Sequence, residues 1–578
     1  MNCLKPWITP GLIRCMRHRD RLHLKCKKDP TNIILNKSYK RYKNFCNNLL
    51  KDLRNKYERE ELTKYANNPK KKWKIIDMVT NRNNSNKKTT ATDLLYTEKS
   101  PEISLQSVNT YFSNIAKDLA DKIIPCNTDN EDLTLSLSPL KSMVMLGTSE
   151  QEIDSIINSL KSDSAVGWDA IPTKVLKMAK NILTVPLTHI VNLCIEKGVF
   201  PKVFKKSIIH PIFKAGDRNC VGNYRPISVL TSLSKVLEKI VNKRLVTYLE
   251  DKHILSNNQF GFRQGKSTEQ AVSELVNFVA KHVDNKDKCL GVFLDLAKAF
   301  DTTWEETKST AELGLHKISN WLNLNKLTLN VTKTNYILFN NTERSLPLNL
   351  DYSIQIHTCK PSSLTCSCDT LAKSKCIKYL GVLLDDKLTW CSHINKLTTQ
   401  TRKLIYIFKK LRNVADQSLL RTVYLSLAQS VLSYCITSWG GARKSHLIKL
   451  ERAQRILLKT IKSKPYRYPT GKLYSECNVL TVRKLFILNA TLSYHQKSIY
   501  NTKYNSSTRR KDKIFPIDSY KSFYMTKFLC FLGPLCYNKI NKILNIYPLN
   551  TFQCKQKLTT WLKTKGYEEV EELFNILK

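Results

Sequence analysis

A helix-rich α+β fold of several units is what this sequence predicts, on three observations. The chain has 578 residues, several times the ~100 to 200 of a single domain. Glycine occurs only 16 times, about 3% against a typical ~7%, which is too sparse for a turn-dense all-β architecture. Long stretches with apolar residues at helical spacing alternate with short apolar runs of strand length. A hydrophobic content of 42% with 25% charged residues excludes wholesale disorder, a collagen and a coiled-coil rod.

Charge narrows the function classes. Lys and Arg number 94 against 48 Asp and Glu, a formal net charge of +46, and self-repulsion on that scale is offset by a polyanion, with nucleic acid the default partner. The 18 cysteines are about 3% of the chain, far below a disulfide scaffold, and fit a reducing compartment. The opening MNCLKPWITPGLIRC breaks any signal-peptide core with Pro and Arg, and no run of ~18 apolar residues follows. A soluble intracellular protein of cytoplasm and nucleus, with no membrane partner, is expected.

Residues 1–90 carry 24 Lys and Arg against 7 Asp and Glu, with Tyr39, Tyr42, Phe45 and Tyr57 interleaved. This reads as a basic helical arm, either a solvated face or a phosphate-tracking surface. The polar tract NRNNSNKKTT closes it, and a connecting segment, 91–147, includes the helix-patterned YFSNIAKDLADKII. A capping-box pattern at Thr148 and Gln151, ahead of Ile153, Ile156, Ile157 and Leu160, starts a new unit near 148. Leu230, Leu233, Leu237, Ile240, Val241 and Leu249 predict a long helix, and Ser267 is the expected N-cap of another through Ala271, Leu275, Phe278 and Val279. CLGVFLD at 289–295 reads as a strand buried on both faces. HKISNWL is helix-patterned, LTLNVTKTNYILF suggests a hairpin or two strands, and YLGVLL is strand-like. Helical patterning resumes from His393 to Ser463, and a final amphipathic helix is expected near 555–577.

Asp295 closes the apolar run, and Asp301 follows in FLDLAKAFD. A carboxylate at a strand end in apolar surroundings is explained by a bound cation, or by the commoner role of helix cap or turn former. His357, Cys359, Cys366, Cys368 and Cys376 form a second cluster. Its spacing is not paired CxxC, so a loop of reduced thiols is preferred to zinc.

The succession PTKVLKM, IIHPIFKAGD, NYRPISVL, NQFGFRQGKST and FLDLAKAFD resembles the reverse transcriptases of non-LTR retrotransposons. Downstream, NKLTLNVTKTNYILF, IKYLGVLLDDKLTW and VLSYCITSWG look like the palm end and thumb of the same family. The opening PWITPGLIRCMRHRDRL resembles the segment that joins endonuclease to polymerase there, so the likeness covers nearly the whole chain, and no endonuclease is expected ahead of it. The implied fold is a right-hand polymerase: fingers at 148–288, palm at 289–390, helical thumb at 391–463 and a helical region of unknown role at 464–578, behind the basic arm at 1–90. The implied reaction is RNA-directed DNA synthesis with an RNA template, a DNA primer, dNTPs and Mg2+.

The resemblance also assigns residues. Asp295 maps to the acid that binds both catalytic Mg2+ ions, and two hard cations need oxygen ligands to clamp attacking and leaving oxygens. Phe300 falls where the family packs a bulky residue under the sugar against a 2′-hydroxyl. Lys214 and Arg225 take the places that neutralise the incoming triphosphate, for which a point cation and a planar fork are suited. Arg263, with Gln259 and Gly265, fixes a loop and reaches the template. Lys333 matches a palm lysine that protonates pyrophosphate, and Gly381 matches the hairpin that grips the primer.

One departure is large. The family places a Pro-Gln-Gly helix and an aromatic-Ala-Asp-Asp hairpin between FLDLAKAFD and NKLTLN, whereas here Asp301 is followed almost at once by Trp304. The one Asp-Asp pair, Asp385-Asp386, comes after YLGV, in the primer-grip region, and is not expected to replace the lost ligands. A truncated palm, a defective enzyme and an exposed apolar edge on the CLGVFLD strand are therefore expected.

Overall fold

A computed structural model describes residues 5–82, 94, 100–120, 143–285, 287, 289–294, 296–297, 328–329, 331–339, 354, 370–499, 514–517 and 523–573. It is a mixed helix-and-sheet molecule. The first helices are α1 (Pro10–Lys28), α2 (Ile33–Lys64) and α3 (Pro69–Thr80), and the side chains of Thr9, Asn32 and Asn68 cap them by accepting the backbone N–H three residues on. Proline at the start of α1 and α3 supplies a preset φ where no N–H partner is needed. α1 and α2 lie against each other, with His18 on Tyr42 and His23 on Tyr39 at ring-centroid distances of 4.7 and 5.0 Å.

After α4 (Pro101–Ala120) come α5 (Glu150–Ser159), α6 (Thr173–Met178), α7 (Lys180–Glu196), the hairpin β1 (Ile208–Phe213) and β2 (Tyr224–Val229), α8 (Ser232–Asp251) and α9 (Thr268–Asp284). Ile153, Ile157, Leu176, Leu187, Val191, Val236, Leu237 and Ile240 make one core between α5 to α8. The cap of α5 is Ser149, which accepts from Glu152 N–H, one residue later than the Thr148 and Gln151 pattern predicts. Thr148 instead donates its hydroxyl to the Glu152 carboxylate. Arg244 donates to both carboxylate oxygens of Glu152, at 3.0 and 2.6 Å, and to the carbonyls of Leu146 and Gly147. The Arg244 guanidinium, helped by Lys243 and Thr148, holds the Glu152 carboxyl far below the usual carboxylate range. Ser267 caps α9 in a complete capping box with Gln270.

The strands β3 (Cys289–Phe293), β4 (Leu296–Ala297), β5 (Thr328–Leu329), β6 (Asn335–Phe339), β7 (Ala372–Lys373), β8 (Cys376–Tyr379) and β9 (Val382–Asp385) follow. β3 runs antiparallel to β6, which runs parallel to β7, giving a sheet in the order β3-β6-β7. β4 pairs with β5, and β8 with β9. The expectation of a strand buried on both faces is corrected here: Val292 is the one buried residue of β3, and its neighbours are half-buried. Among the described residues β3 is an edge strand, with β6 its one partner, so less apolar cover is available to it than its composition demands. YLGVLL also differs from a single strand. Leu380 at φ 44° and Gly381 at φ 88° place two successive residues in the left-handed region and fold it into the β8–β9 hairpin, as a two-residue turn requires.

The helices α10 (Cys391–Leu411), α11 (Gln417–Tyr424), α12 (Ser430–Ser433), α13 (Ile436–Trp439), α14 (Lys444–Ile461), α15 (Thr470–Cys477), α16 (Val482–Ile499), α17 (Leu529–Leu544), α18 (Thr551–Thr564) and α19 (Tyr567–Glu572) complete the chain. The single helix expected near 555–577 is thus two, parted near Lys565 and Gly566. One large core joins α9, β6 and the β8–β9 hairpin to α10, α12 to α14 and α16 to α19, with Trp390, Trp439, Phe486, Phe528 and Tyr537 fully buried. The SWGG sequence explains the closeness of that packing, since a Cβ at Gly441 would overlap the Lys527 carbonyl. A second core joins α2 and α3 to α10, α11, α14 and α15 through Leu62, Ile75, Ile76 and Val79 against Phe408, Leu411 and Leu457. The basic arm is therefore anchored at its C-terminal end, while α1 and the first turns of α2 take no part in that core.

Candidate active site and nucleic-acid interface

The β1–β2 hairpin sorts its residues by face. Ile209, Phe213 and Tyr224 turn inward to a small cluster with Leu94 and Phe112. The register Ile208↔Val229, His210↔Ile227 and Ile212↔Arg225 puts the alternate residues on the other face. Lys214 extends that ladder by donating its N–H to the Asn223 carbonyl at 2.8 Å, so Lys214 and Arg225 share one face as diagonal neighbours, ~7–8 Å apart by the usual spacing. Both are exposed, with no carboxylate partner among the described residues. On the same face Ile212 lies directly opposite Arg225, and Ile227 lies two residues further along β2, opposite His210; they are 49% and 44% exposed. A solvent-facing pair of aliphatic side chains with two cations beside it suits a ligand with an apolar face and anionic groups. Gly216 allows the connecting loop: at φ 97° it faces Asn223, where a Cβ would come within 2.8 Å of the side-chain amide. That amide donates to the Asp217 carbonyl.

Arg263 is placed otherwise. Its guanidinium donates to both oxygens of Glu250, at 2.9 and 2.6 Å, and to the Ser256 carbonyl at 2.7 Å. The pair holds the Glu250 carboxyl below its ordinary range. Arg263 therefore ties the loop before α9 to the end of α8. Gln259 donates to the Gly261 carbonyl, and Gly265 takes φ 79°. In the same loop Phe262 is 88% exposed at φ 59°, a combination that composition does not signal because an aromatic in an apolar pattern reads as core.

Gly381 sits at the tip of the β8–β9 hairpin, and its carbonyl accepts from Lys396 Nζ at 3.0 Å. The Tyr434 hydroxyl donates to the neighbouring Leu380 carbonyl at 2.6 Å and lies 3.2 Å from Thr268 Oγ1. Tyr434 begins the break between α12 and α13. There Cys435 takes φ 49° and donates its N–H to the Glu269 carboxylate at 3.1 Å. The hairpin tip, the start of α9 and the helix break thus meet at one point, a junction that no motif in the sequence signals.

Lys333 closes a short 3-10 turn, Val331–Lys333, and is exposed just ahead of β6. Position 295 falls between β3 and β4, and Asp295 and Phe300 lie outside the described residues, as do HKISNWL, His357, Cys359, Cys366 and Cys368. Cys376 is exposed on β8. Among the described residues no three His, Cys, Asp or Glu side chains gather to hold a metal ion. Asp385 is unsuited to that task, because its two oxygens accept the N–H groups of Thr389 and Trp390 at 2.7 and 2.8 Å and close the turn into α10. The donor set for two hard cations is not assembled among the described residues, and no step through a metal follows. Among the described residues no helix is long and apolar enough to cross a membrane.

Residues 205–311 match the family model described as "Reverse transcriptase (RNA-dependent DNA polymerase)", a segment that holds Lys214, Arg225, Arg263, Asp295 and Phe300. The chain is 36% identical over 157 residues to the probable RNA-directed DNA polymerase from transposon BS of Drosophila melanogaster, covering 27% of this chain and 17% of that protein. It is 30% identical over 196 residues to the RNA-directed DNA polymerase from mobile element jockey of the same fly, covering 33% and 21%. A probable RNA-directed DNA polymerase from transposon X-element of that organism is 33% identical over 154 residues, covering 26% and 17%. The matched stretch thus spans about a fifth or less of each of these relatives. Enzymes of this family act on an RNA template with a nucleic-acid primer and use Mg2+. The matched segment is thus similar to the reverse transcriptases of non-LTR retrotransposons.

Proposed function

We propose that this chain is the RNA-directed DNA polymerase of a non-LTR retrotransposon in defective form, holding RNA template, DNA primer and dNTPs in the cytoplasm and nucleus while extending primers scarcely at all. One observation carries the binding half of this reading: the exposed β1–β2 face, on which Lys214 and Arg225 lie beside Ile212 and Ile227. Aliphatic groups can lie under a base while a point cation and a planar fork take phosphate oxygens. In this assignment α5 to α9 with the hairpin are the fingers, β3 to β9 the shortened palm and α10 to α14 the thumb. Arg263 holds the template loop, Gly381 the primer-side hairpin, and Phe300 is the sugar gate beneath the nucleotide. Asp295 is the surviving Mg2+ ligand and Lys333 the proton donor to pyrophosphate.

The catalytic half is argued from the sequence that follows Asp301, where the family's second pair of acids is lacking, and from Asp385 being engaged in its own turn. Losing ligands of a two-metal site removes several kcal/mol of transition-state stabilisation, ~10³-fold or more in rate. The engagement of Asp385 favours the second reading as well, a non-catalytic nucleic-acid-binding remnant. Magnesium-dependent extension of a DNA primer on an RNA template separates the two: a slow extension that Asp295→Ala abolishes supports a residual polymerase, and none at all supports the remnant. Sequencing the transcript across the codons for Asp301 to Trp304 tests the interruption itself, because recovery of the missing motifs in the message would restore a complete enzyme.

A further inference from the structure

The end of α14 and the turn after it carry a surface that the polymerase reading leaves unused. From Lys459 to Lys472 the sequence KTIKSKPYRYPTGK holds Lys459, Lys462, Lys464, Arg467 and Lys472 and no acid. Ser463 at φ 52° ends the helix, and the Tyr468 N–H closes a turn onto the Pro465 carbonyl at 3.1 Å. Tyr466 and Arg467 therefore occupy its two corners, and both are exposed, Tyr466 to 85%. The turn is held on both sides. Lys459 Nζ donates to the Tyr466 carbonyl and lies 5.5 Å from the centre of its ring. Tyr468 packs against the second core, donates its hydroxyl to Glu476 and accepts from Lys464, which pairs with Glu476 at 3.1 Å. Proline at 465 and 469 further limits the backbone. Beside the turn, Arg412 reaches the Thr460 carbonyl at 3.4 Å. Of the five bases, Lys464 alone is in an ion pair among the described residues.

An aromatic ring this exposed leaves its apolar faces in water unless a ligand covers them. A ring held rigidly among bases has the form that stacks on a nucleic-acid base, with the cations tracking the backbone on either side. Because stacking needs a base freed from its duplex, the surface favours a single strand.

We propose that the Pro465–Tyr468 turn is a docking site for single-stranded nucleic acid, in which Tyr466 stacks on a base while Arg467, Lys462 and Lys459 hold the flanking phosphates. The site belongs to a different part of the chain from the β1–β2 hairpin and needs no catalysis. It rests on nucleic acid being the partner of this chain, and on no other part of the polymerase reading. The test is fluorescence anisotropy of the full chain with a labelled oligo-U and with a duplex of equal length. Tyr466→Ala should weaken oligo-U binding roughly 5- to 100-fold, leave duplex binding within about twofold and leave the salt slope unchanged, while Tyr466→Trp retains binding. Arg467→Gln with Lys462→Gln should instead flatten the slope by ~0.7 for each phosphate no longer neutralised. Unchanged oligo-U binding by Tyr466→Ala overturns the proposal, and so does an equal loss on duplex, which would mark the turn as a general electrostatic surface. If the unaltered chain binds neither probe, the nucleic-acid reading fails as a whole. Thermal melting of each variant checks folding, and since Tyr466 is exposed no change is expected.

Discussion

The three-stranded sheet and the large helical core are held together on different scales. Val292 of β3 and Tyr336 of β6 make a small core with Ile354 and Leu371, while Ile337 and Phe339 on the other face of β6 join the core shared by α9, the β8–β9 hairpin, α10, α12 to α14 and α16 to α19, which buries two tryptophans with many further aromatics and aliphatics. In the proposed assignment the sheet is where the family's chemistry would be done, and the helices bury most of the apolar side chains. On the proposed reading the interruption after Asp301 follows β3 in the chain, and the core that Val292 of β3 helps to build is the smaller of the two. The surfaces suited to nucleic acid hang on the other parts: the β1–β2 hairpin on its own small cluster, the arm on the second core, and the Tyr466 turn at the end of α14. Loss of catalysis and retention of binding are compatible for that reason.

The largest effect that could break this comparison is catalytic. Primer extension should fall at least ~10³-fold below that of an intact relative while template binding by gel shift persists. Extension at a comparable rate would mean that the sheet is functionally whole. Next in size is the folding contrast. Trp439→Ala, in the large core, should lower stability by about 3–5 kcal/mol, and Val292→Ala, in the sheet, by about 1–2 kcal/mol. Urea midpoints measure both, and equal losses would contradict the ranking.

A pH profile sharpens the same contrast. His393, at the start of α10, accepts the Leu383 N–H on Nδ1 at 3.3 Å, and burial pushes it down to about 4. The unfolded chain, with an ordinary value near 6.5, binds more protons between those pH values. The stabilisation is therefore complete above pH ~6.5 and is lost as pH falls towards 4, about 3 kcal/mol in all. His393→Asn, which keeps an acceptor and removes the titration, should flatten the profile between pH 4 and 6.5. An unaltered slope would show that other groups govern it.

Binding by the arm comes next. Since α3 and the end of α2 are part of the second core, deleting residues 1–90 would disturb packing and charge together. Charge substitutions at Arg14, Arg17, Arg21, Lys40 and Lys43 separate them. If each contacts a phosphate, five Gln replacements should reduce the slope of log K against log salt by ~0.7 each on single strands, with little change in melting temperature. A constant slope would leave the arm as scaffold.

Much of the helical framework is legible in the sequence because caps and apolar spacing are local signals: Ser267 with Gln270 is one case, and the run from His393 to Ser463 another. The β8–β9 hairpin is legible only through the resemblance, which puts Gly381 in a hairpin, because Leu380 is not a residue that announces a left-handed φ, and Gly381 alone does not distinguish a turn from a strand glycine. CLGVFLD reads as doubly buried from composition, but burial depends on what else the chain provides, and β3 has one partner strand among the described residues. For the site, the positions of Lys214 and Arg225 can be named through the resemblance. Their common face cannot, since it depends on the register Ile212↔Arg225. The junction of Tyr434, Glu269 and Leu380 joins residues far apart along the chain, and no local pattern encodes it.

The smallest effect distinguishes two kinds of arginine. Arg263 spends its guanidinium on Glu250 and Ser256, whereas Arg225 lies exposed with no carboxylate partner among the described residues. If the β1–β2 face receives triphosphate, Arg225→Ala and Lys214→Ala should each weaken a fluorescent dNTP analogue about tenfold, the order expected for one lost charge-assisted hydrogen bond, with melting unchanged. Arg225→Lys should recover part of the loss, since a point charge remains but the fork is gone. Arg263→Ala should behave in the opposite way, lowering stability through the abandoned Glu250 while nucleotide affinity holds. The contrast is decisive because both residues carry the same charge in the same matched segment. If all three variants weaken the nucleotide equally, the effect is one of net charge, and the shared face of Lys214 and Arg225 is not the binding surface.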